Sequence, residues 1–179
     1  MSAIASPRRW ITALMVMALA LVGLGLATAR PAHALGKGRA CMFNATEGAN
    51  GLGHVGWAFR VGPADDWIYG ATESASWNWQ RESNYATMLA TFRTTNGRGY
   101  YDHFRCKDTT NSSVTAAKNK VNQVYSRPYN VVNDNCLTRS VEIFKAYDSS
   151  FNNLGNGIGN GPNWYYDNQL IGFGGRIYL

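Results

Sequence analysis

The sequence predicts an α+β fold in which an antiparallel sheet, with a histidine on one of its hairpins, packs against a helix that opens at a cysteine. Three patterns support this prediction. Apolar residues alternate from Gly53 to Val61, as on a strand, and a second short apolar run follows a turn. Apolar residues then recur at helical spacing after Ser112 and again from Cys136. We therefore expect the hairpin of Gly53 to Glu73 to lie against the helix that begins at Cys136.

The predicted hairpin holds a histidine near the start of its first strand. One face of this strand carries Val55, Trp57, Phe59 and Val61, and the other carries His54, Gly56, Ala58 and Arg60. Turn residues at 62–66 lead into a returning strand at 67–72. We expect His54 to lie on the small, polar face of the hairpin.

The other segments predict further elements around this hairpin. Residues 85–95 fit either a strand or a short helix. Ser112 or Ser113 is a plausible cap for a helix of roughly three turns, whose apolar positions are Val114, Ala117, Val121 and Val124. Asparagine and glycine dominate 149–161, which predicts a loop outside the core. Residues 164–166 and 171–179 are expected to return to the sheet as one or two short strands.

The first 34 residues have the order of a secretory signal peptide. Arg8 and Arg9 precede an apolar stretch over 10–28, and Ala32-His33-Ala34 then forms an A-x-A cleavage site. We expect cleavage before Leu35, which leaves residues 35–179 as one secreted domain. The alternative is a membrane anchor, because about twenty apolar residues can span a bilayer.

The export route and the charge narrow the class of protein. Residues 6–11 resemble a twin-arginine signal, so bacterial export by the Sec or the twin-arginine route is expected. The whole chain has a formal net charge of +6, and Arg8, Arg9 and Arg30 leave with the signal. The mature domain is then only modestly basic and has no run of Lys or Arg, which argues against nucleic-acid binding. No later apolar run is long enough for a transmembrane segment.

The chain has 3 cysteines, and all of them follow the predicted cleavage site. Disulfides persist outside the cytoplasm, so one cysteine must be left over from an intramolecular bridge. Cys41 and Cys106 have a structural setting, and we expect them to pair and leave Cys136 free. Other pairings, including an intermolecular bridge at the odd thiol, stay open.

Cys136 and His54 are the candidates for chemistry. A thiolate is favoured at a helix N-terminus by the unpaired N–H groups and the helix dipole, and Cys136 follows a polar turn at such a position. A nucleophile also needs a base within hydrogen-bond reach, and the mature chain offers His54 and His103. We choose His54, because the small residues beside it leave room for a substrate.

This arrangement resembles the circularly permuted papain-like families, namely the lecithin-retinol acyltransferase-like and the permuted cell-wall peptidase groups. The motifs that carry the resemblance are His54-Val55-Gly56 on a strand, Tyr129, and Asn135-Cys136 at the start of a helix. Leu137 and Thr138 stand where the acyltransferases have Glu and an aromatic residue. The resemblance implies a papain-like fold and a thiol hydrolase or acyltransferase that acts on an amide or ester, with peptide amides of peptidoglycan as the first substrate to consider.

In these families a third residue, on the strand after the histidine, orients the imidazole. If Val61 pairs with Trp67, His54 faces Ser74 with Thr72 diagonally beside it, and a one-residue slip brings Glu73 opposite instead. We choose Glu73, because a carboxylate both fixes the tautomer and stabilises the imidazolium. The backbone N–H of Cys136 is the expected oxyanion donor. No cofactor and no metal ligand are predicted.

A different class of function stays open beside the enzyme. Trp77-Asn78-Trp79-Gln80 and Trp164-Tyr165-Tyr166 combine aromatic rings with amides, which suits sugar binding. A free cysteine on a helix is also often a small buried hydrophobic residue. The alternative is therefore a non-catalytic module that binds cell wall or carbohydrate, or a secreted inhibitor or toxin. The oligomeric state is not predicted.

Overall fold

A computed structural model of the chain describes residues 36–74, 77–94 and 101–179. The predicted signal peptide and its cleavage site lie outside these described residues, as do parts of two connections. Within the described ranges, no helix has the length and apolar character needed to cross a bilayer.

The described strands form one antiparallel sheet, and the sequence prediction of an α+β fold with such a sheet is confirmed. In chain order they are β1 (Gly36–Ala45), β2 (His54–Arg60), β3 (Trp67–Ser74), β4 (Trp77–Ser83), β5 (His103–Ser112) and β6 (Ile177–Tyr178). Their spatial order is β4-β3-β2-β1-β5-β6, so β1 is an interior strand that pairs with both β2 and β5. The hairpin of β2 and β3 is therefore built into the middle of the sheet.

Helices pack on both faces of this sheet. The described α-helices are α1 (Tyr85–Thr94), α2 (Val114–Tyr125), α3 (Cys136–Tyr147) and α4 (Pro162–Asn168), and two short 3-10 helices lie at Gly48–Gly51 and Ser149–Phe151. Helices α2 and α3 share one apolar core with Trp57 and Phe59 of β2. Helix α3 contacts both β2 and β3, as expected for the helix that begins at Cys136.

The second face of β2 differs from the prediction, because it is buried and not polar. Ala58 is fully buried in a second core with Met88 and Phe92 of α1. At Gly56 an added Cβ would lie 2.6 Å from the Phe92 ring, so only glycine leaves room for that side chain. Of residues 85–95, which could form a strand or a helix, Tyr85–Thr94 form helix α1, and this helix supplies the unexpected cover.

The aromatic segments also differ from the prediction. Residues 77–80 were considered only as a sugar-binding motif, and they lie in strand β4 at the edge of the sheet. Residues 164–166 were expected in a strand, but they belong to α4, which begins with Pro162 at a position where proline favours a helix. Tyr165 and Tyr166 are fully buried there. The expected return to the sheet occurs later, at Ile177–Tyr178 of β6, which pairs with β5.

The local signals for α2 and the disulfide are confirmed. Ser113 caps α2 by accepting a hydrogen bond from the Ala116 N–H. Cys41 and Cys106 lie directly opposite each other on β1 and β5 and form a disulfide. Cys136 is free and buried. The 149–161 segment is not wholly outside the core, since Phe151 and Leu154 are buried in it.

Candidate active site

Cys136 is the first residue of α3, and the cap of this helix is formed by its neighbours. The Asn135 side-chain oxygen accepts hydrogen bonds from the N–H groups of Leu137, at 3.0 Å, and Thr138, at 3.2 Å. The Thr138 hydroxyl in turn accepts from the Asn135 N–H at 2.8 Å. This capping box fixes the start of the helix. Its hydrogen bonds use the N–H groups of Leu137 and Thr138, and the Cys136 N–H takes no part in them.

The polar turn before Cys136 is held by a buried arginine of α3. Arg139 is only 1% exposed, and its Nε donates to Asp134 Oδ1 at 2.7 Å. Asp134 also accepts from Arg127 at 3.0 Å. The Arg139 guanidinium lies 5.7 Å from the centre of the Tyr129 ring. This buried ion pair holds Asp134 in place and so fixes the turn that directly precedes Cys136.

His54 and Glu73 meet at the end of the hairpin. In the observed register Arg60 is opposite Trp67. This is the register shifted by one residue from the pairing of Val61 with Trp67, so the pairing of Val61 with Trp67 is wrong. Continuing the pairing brings Glu73 opposite His54. The His54 Nε2 lies 2.9 Å from Glu73 Oε2, and both side chains are largely buried. The angle at the ring N–H is too bent for a hydrogen bond to this oxygen. The two side chains therefore form an ion pair that is defined by their distance alone.

Two residues that the sequence analysis did not place in the site hold the Glu73 carboxylate. Trp79 Nε1 donates to Glu73 Oε1 at 2.8 Å, and the Tyr101 hydroxyl donates to the same oxygen at 3.4 Å. Oε1 is therefore occupied, and Oε2 faces the imidazole. A buried carboxylate requires such donors, and Trp79, on the strand next to Glu73, was the available signal in the sequence.

The electrostatics favour a charged thiolate and imidazolium. Burial opposes the thiolate, but the charge and hydrogen bond of His54 and the backbone N–H of Val55 lower the pKa of Cys136 below its ordinary value. Burial also opposes the imidazolium, yet Cys136 and Glu73 together raise the pKa of His54 to about 10. The lowered pKa of Cys136 and the raised pKa of His54 both favour the charged thiolate and imidazolium. The charged pair, a nucleophilic thiolate beside a protonated histidine, is therefore more favourable here than it would be for the isolated side chains.

His103 lies elsewhere in the fold. It starts β5 opposite Asn44, its Nδ1 is 3.0 Å from Asp102 Oδ1, and its ring packs against Tyr166 and Tyr178. Burial is the largest cause that lowers the pKa of this histidine. The structure therefore brings His54, Glu73 and Cys136 together and keeps His103 in a packing role near β6.

An open cleft of about 750 Å³ reaches the three side chains. It is lined by Glu73, by parts of three loops and by the first residues of the elements that follow them, within 49–54, 129–136 and 159–162. The first loop has an unusual backbone, since Ala49 and Asn50 have φ angles of 48° and 58°. Asn163 holds this loop through its side-chain amide, which donates to the carbonyls of Thr46 and Gly51. The cleft is thus preformed beside His54.

The described residues hold no cluster of metal-ligating side chains, and two rings of the second aromatic motif are buried. Among residues 36–74, 77–94 and 101–179, no group of three or more His, Cys, Asp or Glu side chains is arranged to hold a metal ion. Tyr165 and Tyr166 are buried, and the Trp79 ring packs near Phe92. Only Trp164 of the second aromatic motif is exposed. No protein-family model, curated protein or solved structure matches the chain.

Proposed function

We propose that this protein is a secreted thiol hydrolase or acyltransferase in which Cys136 is the nucleophile, His54 the acid and base, and Glu73 the residue that orients the imidazole. The observation that carries the proposal is the position of His54, which interacts with the Cys136 thiol and lies 2.9 Å from the Glu73 carboxylate at an open cleft. A nucleophile, its base and an orienting carboxylate form the arrangement that covalent catalysis requires.

The reaction proceeds through a thioester. The Cys136 thiolate attacks the carbonyl carbon of an amide or ester, and the bond to the leaving nitrogen or oxygen breaks as His54 donates its proton to that atom. Water or another acceptor then attacks the thioester carbonyl, His54 takes the acceptor's proton, and the thiolate is released with its original charge. Each proton that leaves one partner is thus received by the other.

Two donors stabilise the oxyanion in this mechanism. The first is the Cys136 N–H at the start of α3, which lies outside the capping box. The second is the hydroxyl of Tyr129, a residue that lines the cleft. Burial and the nearby Cys136 raise the pKa of Tyr129, so its hydroxyl keeps the proton it needs to donate.

A papain-like, circularly permuted architecture and an exported location are part of the same proposal. The chain order supports the architecture, since the histidine is on a strand of an antiparallel sheet and the cysteine follows on a helix packed against it. The disulfide between Cys41 and Cys106 supports the location, because such bonds persist in oxidising compartments. Cell-wall peptide amides are therefore one substrate class to screen.

Alkylation of the unreduced protein tests the proposal directly. Cys136 is the free cysteine of the chain, so iodoacetamide should modify one site, rapidly and already at neutral pH. His54→Ala should slow the reaction at neutral pH, because burial then raises the pKa of Cys136 without an opposing charge. His103→Ala is the matched control and should react like the parent. Equal rates for the parent and His54→Ala would contradict the proposal.

Turnover gives an independent measurement once a substrate is found. Cys136→Ala and His54→Ala should each lower the rate by about three orders of magnitude or more, and the double variant should be little slower than either single variant. This non-additivity is expected because the nucleophile and its base act in the same step. If His103→Ala abolished turnover and His54→Ala did not, the assignment of the base would be wrong.

A further inference from the structure

The loop between β1 and β2 leads directly into His54 and has a strained backbone. Within residues 36–74, 77–94 and 101–179, Ala49 and Asn50 are the only residues other than glycine with a positive φ angle. Both have left-handed helical angles, φ 48° and ψ 47° for Ala49 and φ 58° and ψ 41° for Asn50, which the Cβ atom disfavours. Such a conformation persists only where the surrounding structure imposes it, so the loop must be held by contacts from outside.

One residue of helix α4 supplies these contacts at both ends of the loop. Asn163 Nδ2 donates to the carbonyl of Thr46 at 2.9 Å and to the carbonyl of Gly51 at 3.1 Å. The Asn163 backbone N–H donates to the Leu52 carbonyl at 3.0 Å. Asn163 Oδ1 accepts from Asn44 Nδ2, near the end of β1, at 2.9 Å. Asn163 thus joins the end of β1 to the last residues before β2.

This connection reaches His54 through two glycines that leave no room for a side chain. A Cβ at Gly53 would collide with Asn163 Oδ1, so the Asn163 side chain lies against the residue directly before His54. A Cβ at Gly48 would lie 2.5 Å from the His54 Cβ, so the start of the strained loop lies against the histidine itself. The position of His54 therefore depends on the loop, and the loop depends on Asn163.

The position of His54 matters because its effect on the nucleophile acts over a short distance. Burial opposes the Cys136 thiolate, and the charge and hydrogen bond of His54 lower the pKa of this thiol. Both contributions weaken as the ring moves away. Glu73, Tyr101 and Tyr129 are further ionisable groups that interact with the thiol, and they lie outside the loop. A displaced loop would therefore act on Cys136 through His54.

We infer that Asn163 is a positioning residue of this site, which holds His54 within reach of the Cys136 thiol by fixing the loop of residues 46–52. This inference rests on the proposed function, because it concerns the readiness of the nucleophile that the function requires. Asn163 is not among the residues that line the cleft, so its contribution passes through the histidine and not through a contact with substrate.

The pH dependence of Cys136 alkylation by iodoacetamide measures this role. Asn163→Ala removes the three side-chain hydrogen bonds and keeps the backbone N–H that binds Leu52. We expect the midpoint of the profile to move to higher pH by about one unit, so that the rate near neutral pH falls by up to about tenfold. The limiting rate at alkaline pH should stay close to that of the parent, because every thiol is then ionised.

A double-variant cycle shows whether the effect passes through His54. In the His54→Ala background the thiol has no imidazolium to lose, so Asn163→Ala should change the alkylation profile no further. A change of equal size in both backgrounds would identify a general effect on the fold and would overturn the inference.

Two further variants separate position from stability. Asn168→Ala is the matched control on α4, because its amide also donates to a carbonyl, that of Trp164 at 2.8 Å, and it should keep the parent profile. Ala49→Gly relieves the positive φ angle, so adding it to Asn163→Ala should raise Tm and secure the fold while the profile stays shifted. If Ala49→Gly restored the profile together with Tm, or Asn168→Ala shifted it equally, the inference would be overturned.

The outcomes also distinguish this inference from the proposed function. If the parent is alkylated with the pH profile of an ordinary thiol, the proposed function and the inference both fail. If the parent profile lies at lower pH than that of an ordinary thiol and Asn163→Ala has the same profile, the inference is overturned and the proposed function stands.

Discussion

Trp79 donates a hydrogen bond of 2.8 Å to one oxygen of Glu73, and the other oxygen of that carboxylate lies 2.9 Å from His54. The indole thus acts on the imidazole through the carboxylate between them. Tyr101 adds a weaker contact of 3.4 Å to the same oxygen as Trp79. Strand β4 contributes to the site in this way, although its backbone lies at the edge of the sheet.

Removal of the indole donor should weaken this arrangement without opening a large cavity. Trp79→Phe keeps an aromatic ring, so we expect the fold to persist and kcat/KM to fall by roughly tenfold, the effect of losing one hydrogen bond to a charged group. The alkaline limb of the pH profile should move to lower pH, because a less ordered Glu73 raises the pKa of His54 by less. The pH dependence of kcat/KM measures this shift.

Tyr69→Phe is the matched control for Trp79→Phe. It removes a buried hydroxyl that contacts Thr91 at 3.2 Å, on the same face of β3 as Glu73 but away from the carboxylate. The control should lose some stability and keep the pH profile of the parent. If both variants had the same profile, Trp79 would have only a packing role.

The Glu73 carboxylate should make a pH-dependent contribution to stability. Burial opposes its charged form, but His54, Trp79 and Tyr101 together lower the pKa of Glu73 below its usual range. A lowered pKa in the folded state contributes stability that is present above the unfolded pKa and is lost as pH falls through the folded value. Glu73→Gln should therefore cost about 1 to 3 kcal/mol at neutral pH, the cost of leaving a buried partner without its full hydrogen-bonding group.

Thermal unfolding at several pH values measures this contribution. The Tm difference between the parent and Glu73→Gln should be largest near neutral pH and should shrink as the pH falls below the ordinary range of a glutamate. Glu47→Gln, at a carboxylate outside the cleft lining, is the control and should track the parent. A Tm difference that stayed constant down to acidic pH would contradict the linkage.

The disulfide should be the largest single contribution to the stability of the sheet. Cys41 and Cys106 are 65 residues apart in the chain, and closing a loop of that size contributes about 4 kcal/mol on the chain-entropy account. The double variant Cys41→Ala and Cys106→Ala should lose about that much unfolding free energy in urea. Cys136→Ala leaves the disulfide intact and should lose far less. Peptide mapping that found Cys136 in a bridge would refute both this pairing and its proposed role.

The secreted form should begin at Leu35. The A-x-A site ends at Ala34, and β1 begins almost immediately afterwards, at Gly36. Intact-mass measurement of protein recovered outside the cells gives the first residue. A full-length chain retained in the membrane fraction would contradict this prediction.

Local signals in the sequence predicted the helix of Cys136 well, because helix initiation depends on neighbours. The polar Asn135 directly before the cysteine was sufficient to place the start of α3, and the capping box explains why Thr138 follows. The count of three cysteines implied one free thiol, and the local settings of Cys41 and Cys106 favoured these two as the pair among the pairings that stayed open. These features need no knowledge of distant parts of the chain.

Features set by distant contacts could not be predicted in this way. The turn at 62–66 allows two hairpin registers, and packing on both faces of the sheet selects the one that brings Glu73 opposite His54. Three successive aromatic residues at 164–166 gave no period that separates a strand from a helix. The roles of Trp79 and Tyr101 depend on a carboxylate that lies on another strand.

The interior position of β1 has a consequence for how the chain acquires its structure. One neighbour, β2, follows within a few residues, whereas the other, β5, begins only at His103. If the chain folds as it is exported, N-terminus first, one edge of β1 stays unpaired until more than half of the sequence has been exported. The disulfide between Cys41 and Cys106 can form only at that stage, so the appearance of the oxidised form marks the moment at which β5 joins β1 in the sheet.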